Sequence, residues 1–213
     1  IADACLGYKG SETLTIKLIG TNSLTYNGDT TFSCGIYIQN SDLVIEGPGS
    51  LTVNITGTCS YNTSYIRSFA ICVAGNMTVN GGTITTTGGS INKANVGKST
   101  DGVSIGLSAD NLIVNGGSVT AKGGDVALTT TEGYTIRANS YGISADYEGL
   151  TINGGSVTAV SGTATKNGEK SEGMHAMYYK PILGESVTAQ VSLNKDGSGA
   201  IAYDATVIQD VFR

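Results

Sequence analysis

Two acidic residues occupy matching positions in the chain. Asp110 ends the string Gly-Leu-Ser-Ala-Asp, and Asp146 ends the similar string Gly-Ile-Ser-Ala-Asp, with Glu148 close behind. If the two strings lie on neighbouring strands, their carboxylates repel one another unless they are solvated, protonated or bridged by a cation. Calcium prefers such oxygen ligands, so we expect a weak calcium site at Asp110, Asp146 and Glu148. The alternative is a set of solvated acids at turn tips.

Residues for acid–base catalysis are sparse. The single histidine, His175, has no serine or cysteine nucleophile motif to accompany it, so we expect it to be a structural side chain. A polysaccharide lyase needs a basic residue that removes the proton α to a uronate carboxylate, and Lys122, Arg137 and Lys180 are candidates by location only. The sequence therefore favours a binding protein over an enzyme without deciding between them.

Tyrosines are the candidate ligand-binding residues, because an aromatic face can stack on the apolar face of a sugar ring and the chain has no tryptophan. A buried or hydrogen-bonded tyrosine is the ordinary alternative. The expected carbohydrate-binding residues are Tyr134, Tyr141, Tyr147, Tyr178 and Tyr179.

These residues are embedded in a repeated unit. The clearest copies are residues 77–86, 112–121 and 150–159, in which an apolar strand, Asn-Gly-Gly and Ser/Thr–apolar–Thr follow one another. More degenerate copies cover 14–26, 43–53 and 180–189. The spacing drifts while the unit persists, which indicates constant strands joined by variable loops. The loops, expected near 54–68, 87–101, 122–139 and 160–171, should emerge along one edge.

Apolar residues alternate within each copy, which is the period of a strand with one buried face. A hairpin at Asn-Gly is the competing interpretation, but it would not require the copies to resemble one another. We therefore predict one domain, residues 1–213, that is an all-β, right-handed parallel β-helix with three strands per coil and about six coils. One buried ladder should contain Leu24, Leu51, Ile84, Val119, Val157 and Val187.

Polar residues should also form ladders. The threonines beside the buried ladder, at positions 25, 52, 85, 120, 158 and 188, should form an outward column. We interpret it as hydroxyl stacking on a solvent face, with an ice-binding surface as the lesser alternative. Asn80, Asn115 and Asn153 share one turn position, which predicts an internal asparagine ladder.

Composition excludes several classes of partner. The net charge is −5 and the 12 Lys and Arg are scattered, which argues against nucleic acid. No apolar run is long enough to insert into a membrane. The chain starts at Ile1 without Met, so we expect export with removal of an upstream segment. A disulfide such as Cys34–Cys59 and buried free thiols remain equal alternatives.

Units of the form Leu-Thr-Ile-Asn-Gly-Gly-Ser-Val-Thr-Ala, preceded by Gly-Ile-Ser-Ala-Asp, resemble the clostridial, Gram-positive cell-surface carbohydrate-binding β-helix proteins, fold relatives of polysaccharide lyases. The resemblance covers about residues 14–189. It implies a secreted or cell-surface, calcium-binding protein that recognises plant cell-wall or acidic polysaccharides. That family's usual strand, Asp-Gly-Ile-His-Ala-Asp, is kept here only in part, at Glu172, His175, Asp110 and Asp146.

The sequence thus predicts a non-catalytic, secreted polysaccharide-binding protein assisted by calcium. A pectate-type lyase is the alternative from the enzyme class. A structural adhesin or filament subunit is the third, since uncapped solenoid ends permit end-to-end self-association.

Overall fold

The computed structural model describes residues 3–60, 63–130, 133–171, 173–178, 181–185, 187–193 and 199–204. These residues form strands and connecting turns, with no helix among them. The fold is a β-solenoid of about four turns, in which parallel strands stack on one another. The all-β solenoid predicted from the repeats is confirmed at this level.

The strands in chain order are β1 (Asp3–Tyr8), β2 (Leu14–Lys17), β3 (Thr21–Tyr26), β4 (Phe32–Gln39), β5 (Leu43–Glu46), β6 (Ser50–Ile55), β7 (Thr58–Cys59), β8 (Tyr65–Val79), β9 (Thr83–Thr87), β10 (Ser90–Val96), β11 (Thr100–Val114), β12 (Ser118–Lys122), β13 (Val126–Thr130), β14 (Ile136–Ile152), β15 (Ser156–Val160), β16 (Ala164–Lys166), β17 (Glu169–Lys170), β18 (Met174–Met177), β19 (Ile182–Leu183), β20 (Thr188–Leu193) and β21 (Gly199–Asp204).

The strands form three sheets. Sheet A contains β1, β4, β8, β11, β14 and β18 in that order, with β2, β5 and β19 attached at their sides. Sheet B runs β3-β6-β9-β12-β15-β21-β20, and sheet C runs β7-β10-β13-β16-β17. Strands β8, β11 and β14 are long because each begins before a repeat copy and continues directly into the apolar strand with which that copy starts.

The Asn-Gly-Gly turns join sheet A to sheet B. The second glycine of each turn has a positive φ, which is 85° at Gly82, 83° at Gly117 and 75° at Gly155. Because the stacked turns are in close contact, a Cβ on Gly117 would also collide with the carbonyl oxygen of Gly82. Glycine is therefore required for conformation and for space.

The asparagines of these turns form a hydrogen-bonded ladder. The Asn115 Nδ2 donates to Asn80 Oδ1 at 2.9 Å, and the Asn153 Nδ2 donates to Asn115 Oδ1 at 2.9 Å. The predicted ladder is confirmed, but its predicted internal location is wrong, because all three side chains are exposed. The amides bind one another on the outside of the turns.

The predicted buried ladder is correct in the middle and wrong at both ends. Val119 lies opposite Ile84 on one side and opposite Val157 on the other, and Leu51 pairs with Ile84. Leu24 pairs with Val53 instead of Leu51, a slip of two residues that keeps it on the inner face. Beyond Val157 the next position belongs to Tyr203 of the antiparallel strand β21, while Val187 lies before β20.

The segments predicted to be loops contain the strands of sheet C, so that prediction is wrong. These strands pack against the first halves of β8, β11 and β14 and enclose a second core. Its members are Cys59, Ile66, Ile91, Val96, Val126, Leu128, Ile136, Ala138 and Ala164. The larger core lies between sheet B and the second halves of the same long strands.

A row of buried serines passes between the two cores. Ser68, Ser104 and Ser140 are in register on β8, β11 and β14 and are at most 1% exposed. Their hydroxyl oxygens accept hydrogen bonds from the backbone N–H of Gly89, Gly124 and Gly162 at 2.8–2.9 Å. These bonds satisfy amides where the chain passes from sheet B to sheet C.

None of the four cysteines forms a disulfide bond with another described cysteine. Cys59 belongs to the core under sheet C, and its Sγ lies 2.8 Å from the carbonyl oxygen of Thr30. Cys34 belongs to a separate apolar cluster with Phe69 and Tyr141. The structure therefore favours buried thiols over a Cys34–Cys59 disulfide.

Candidate functional site

The outer face of sheet A carries an apolar row. Phe69, Ile105 and Tyr141 occupy equivalent positions on β8, β11 and β14. Together with Cys34 and Val103 they form a cluster separate from the two internal cores. Each of these three side chains is no more than 8% exposed. An apolar row on the outside of a sheet is a feature that internal packing does not explain.

An open groove of about 620 Å³, called here the sheet A groove, runs over this row and crosses the strands. Phe69, Ile105 and Tyr141 lie along it, and the hydroxyl-bearing Ser108 and Ser144 follow beside them. Its remaining lining residues are Arg67, Cys72, Val73, Ala74, Asp101, Val103, Asp110 and Tyr178. The groove thus combines a continuous apolar strip with polar groups at its margins.

An ion pair lies at one margin. Arg67 Nη2 lies 3.1 Å from Asp101 Oδ2, and about a quarter of each side chain is exposed. The Arg67 guanidinium also lies 5.6 Å from the centre of the Tyr65 ring. Such contacts fix the orientation of the guanidinium, which can then offer its remaining N–H groups to a ligand.

A second pocket of about 350 Å³ shares Asp101 with the groove. Tyr65 and Arg137, which line it, are in register with Asp101 on the adjacent strands. The Tyr65 side chain is 64% exposed, and Ser64, Ser99, Thr100 and Thr135 contribute hydroxyl groups. The polar margin of the groove therefore continues into a pocket with an accessible aromatic ring.

Aromatic rings cluster at both ends of the apolar row. At one end Tyr141 stacks on His175 with a centroid distance of 6.1 Å and meets Tyr178 edge-to-face at 5.3 Å. Tyr178 itself is 52% exposed. At the other end Phe32 lies 5.4 Å from Phe69. The edge-to-face contact holds the exposed Tyr178 ring in a fixed orientation.

Burial perturbs the thiol below the apolar row. The pKa of Cys34 is raised well above its ordinary value, mainly by desolvation and further by the neighbouring Cys72. Desolvation likewise raises the pKa of Tyr37, which is in register with Cys72. Both groups are therefore held in the neutral form at neutral pH, and neither provides an activated nucleophile.

The structure brings together only some of the predicted tyrosines. Tyr141 and Tyr178 line the sheet A groove, although Tyr141 is almost fully covered by its neighbours. Tyr134 is 44% exposed and lies outside the lining of both pockets. The side chain of Tyr147 and the whole of Tyr179 lie outside the described residues.

The calcium prediction falls partly outside the described residues. Asp110 lines the sheet A groove, but the side chains of Asp146 and Glu148 are not described. The backbone register runs from Ala109 opposite Ala145 to Asn111 opposite Gly149, so β14 bulges where Asp110 stands. Within the described part of the chain, no three His, Cys, Asp or Glu side chains form a group that could hold a metal ion. The calcium site stays a prediction.

The sequence reasoning did not assign Arg67, Phe69 and Asp101 to a site. The missed signal is the shared serine of the strand before each repeat, at positions 68, 104 and 140. Aligning the strands on this serine places Tyr65, Asp101 and Arg137 in one row, as the observed register does. Of the other basic candidates, Lys122 lies on sheet B, and Lys180 is outside the described residues.

Comparison with protein-family models, with curated protein sequences and with solved structures finds no match to this chain. No helix in the described ranges has the length and apolar character needed to span a membrane. The function must therefore be argued from the groove itself.

Proposed function

We propose that the protein binds a polysaccharide in the sheet A groove and does not cleave it. The observation that carries the proposal is the combination, in one open groove, of an apolar and aromatic strip with a fixed Arg67–Asp101 pair. Sugar-binding sites need both parts, because a pyranose ring has apolar faces and an equatorial rim of hydroxyl groups.

The dimensions suit an extended polymer. The apolar row crosses β8, β11 and β14, which at about 4.8 Å per strand corresponds to roughly 10 Å along the solenoid axis. That length accommodates a few consecutive sugar units. The groove is open rather than enclosed, so a long chain can enter from the side and continue past both ends.

Binding is favoured over a lyase activity by the basic groups near the groove. Three basic residues were candidate catalytic bases. Among the described residues, Arg137 is the one candidate that lies beside the sheet A groove. An arginine side chain has no acceptor and stays protonated, so it orients a carboxylate more readily than it removes a proton. Arg67 is already paired with Asp101 at 3.1 Å.

The proposal extends to the features that the family resemblance implies. We infer a secreted or cell-surface protein with a plant cell-wall or acidic glycan as ligand, and with calcium bound near Asp110. The finer architecture belongs to the same proposal, namely a right-handed helix with three strands per coil and about six coils. The three sheets and the stack of six strands in sheet A, β1, β4, β8, β11, β14 and β18, support it.

The test is quantitative binding to a panel of soluble oligosaccharides and insoluble plant glycans, with the Tyr178→Ala variant beside the unmodified protein. Tyr178 is half exposed and lines the groove, so its removal should leave the fold intact and weaken binding. Loss of one exposed stacking contact of about 1 kcal/mol corresponds to roughly a fivefold rise in Kd.

The matched control is Ile19→Ala, which removes another exposed apolar side chain at a site remote from the groove. Its Kd should stay unchanged. Retention on no glycan would favour a structural protein, and release of unsaturated products from pectin would favour the lyase. Equal weakening by the two variants would show that the groove is not the binding site.

A further inference from the structure

The outer face of sheet B carries a regular grid of hydroxyl groups, called here the sheet B grid. Its five parallel strands are β3, β6, β9, β12 and β15, and each contributes three outward positions. In strand order these are Thr21, Ser23 and Thr25; Ser50, Thr52 and Asn54; Thr83, Thr85 and Thr87; Ser118, Thr120 and Lys122; and Ser156, Thr158 and Val160. Two of the three columns carry Ser or Thr at every strand, whereas the third also contains Asn54, Lys122 and Val160.

The register of this grid is unbroken. Each of the four strand pairings that build it runs residue by residue without a bulge. The long strands of sheet A, in contrast, shift register after Ala109, and sheet C shifts between Lys93 and Val96. The columns of sheet B are therefore continuous across all five parallel strands.

The grid is almost uncharged. Lys122 is the one charged residue among its positions, and it stands at a margin. The central column of threonines is half-buried by its own neighbours, and its hydroxyls bind no described side chain or backbone group. That column contains Thr52, Thr85, Thr120 and Thr158. An ordinary solvent face of this size would be expected to carry mixed charges.

Two repeat distances follow from the fold. Alternate residues of a strand are about 6.6 Å apart, and equivalent residues of neighbouring strands about 4.8 Å apart. The grid therefore measures about 13 Å by 19 Å on these spacings. Both distances are close to the oxygen repeats on the prism face of hexagonal ice, and threonine offers a hydroxyl to hydrogen-bond lattice water and a methyl group to fill the gap between.

We propose that the sheet B grid binds the surface of ice, with the central threonine column as its anchor. The ligand is an ordered water lattice, and it is recognised by repeat distance rather than by charge. This inference is independent of the sheet A groove, since none of the groove residues lies on sheet B.

The experiment measures thermal hysteresis, ice recrystallisation and adsorption of the fluorescently labelled protein to a growing ice surface. The unmodified protein should adsorb to ice and inhibit recrystallisation. Thr85→Tyr and Thr120→Tyr each place a bulky ring in the middle of the grid and should abolish both effects. Asn92→Tyr, at an exposed position of sheet C, is the matched control and should retain them.

Circular dichroism must show that the variants are folded, and Thr120→Val serves where a tyrosine variant is not. Valine keeps the volume of threonine but lacks its hydroxyl group, so Thr120→Val should lower the ice activity in part, whereas Asn92→Tyr should not. The proposal is overturned if the unmodified protein shows neither hysteresis nor adsorption. It is equally overturned if the folded tyrosine variants behave as the control does, or if the grid variants instead lose binding to crystalline cellulose.

Discussion

Ser140→Ala tests whether the buried serine row stabilises the solenoid. The Ser140 Oγ donates a hydrogen bond to the carbonyl oxygen of Gly124 at 2.8 Å and accepts one from the N–H of Gly162 at 2.8 Å. Its side chain is fully buried between the two cores. Alanine removes one oxygen atom and leaves a buried carbonyl and a partly buried amide without their partner.

The cost follows from those two groups. A buried backbone group without a partner costs about 1–3 kcal/mol, with the partly buried Gly162 amide at the lower end. We therefore expect Ser140→Ala to lower the free energy of unfolding by about 3 kcal/mol, a large fraction of the 5–15 kcal/mol typical of a domain. For a chain of this size the corresponding fall in Tm is about 6–12 °C.

Urea unfolding followed by far-ultraviolet circular dichroism measures the change, and Ser108→Ala is the matched control. Ser108 lies on the same sheet and is only 7% exposed, but its hydroxyl binds no group in the described ranges. Its replacement should cost less than about 0.5 kcal/mol. If the two variants unfold at the same urea concentration with equal m-values, the serine row does not stabilise the fold and the reasoning fails.

Two further predictions concern ionisation and metal binding. Burial raises the pKa of Cys34, so the unfolded chain loses this thiol proton at lower pH than the folded chain does. The free energy of unfolding should therefore be unaffected below the ordinary thiol pKa of 9.0 and should fall as the pH rises above it. Urea titrations at several pH values should show that this fall is smaller for Cys34→Ala than for the unmodified protein. Calcium should bind weakly at Asp110, and calorimetry should register heat for the unmodified protein but not for Asp110→Asn; no uptake by the unmodified protein would contradict the site.

The solenoid was predictable because its repeats carry physical constraints that are visible in one sequence. Val119 and Val157 recur in the same string because they stack directly on each other, and the observed register confirms this pairing. Gly117 and Gly155 recur because a positive φ and close contact between turns are required there. The ladder partner of Leu24 was predicted wrongly. The copy at residues 14–26 has the alternation of apolar residues but lacks the Asn-Gly-Gly that fixes the register in the clearest copies.

Sheet C was not predictable by the same reasoning. Its strands lie in segments of variable length, and their apolar residues are few, as Ile91, Val126 and Ala164 illustrate. The antiparallel end of sheet B was missed as well, since Tyr203 replaces Val187 in the ladder through a reversal of chain direction that no repeat signals. Copies that diverge carry less information about register than copies that are nearly identical.

The groove was only half predicted for a related reason. Tyr141 and Tyr178 were assigned by residue type, but Arg67 and Asp101 belong to a site only because β8 and β11 place them on adjacent strands. A ligand site in a solenoid is assembled from several coils. Its residues differ from one coil to the next, whereas the residues of the core and the turns repeat. Searching for repeats therefore detects the scaffold and passes over the side chains that differ from coil to coil.

The outer faces of sheet A and sheet B should recognise different kinds of ligand, because the strand register is irregular in sheet A and regular in sheet B. On sheet A the pairing of β11 with β14 shifts register after Ala109, because Ala109 lies opposite Ala145 whereas Asn111 lies opposite Gly149. A Cβ at Gly106 would lie 2.6 Å from backbone atoms of Lys122, so the long strand passes close to sheet B at this point. The sheet A groove reaches this register shift at Asp110, and each position along it presents a different side chain. Such a surface can distinguish one chain segment from another through individual contacts. On sheet B the first two outward columns carry Ser or Thr at every strand. Such a surface does not select a discrete ligand, but it can add small, equal contacts over an extended lattice. A single substitution in the groove should therefore weaken ligand binding by the energy of one contact. A single bulky substitution in the grid should instead abolish ice binding, because it disrupts the fit of the whole surface to the lattice.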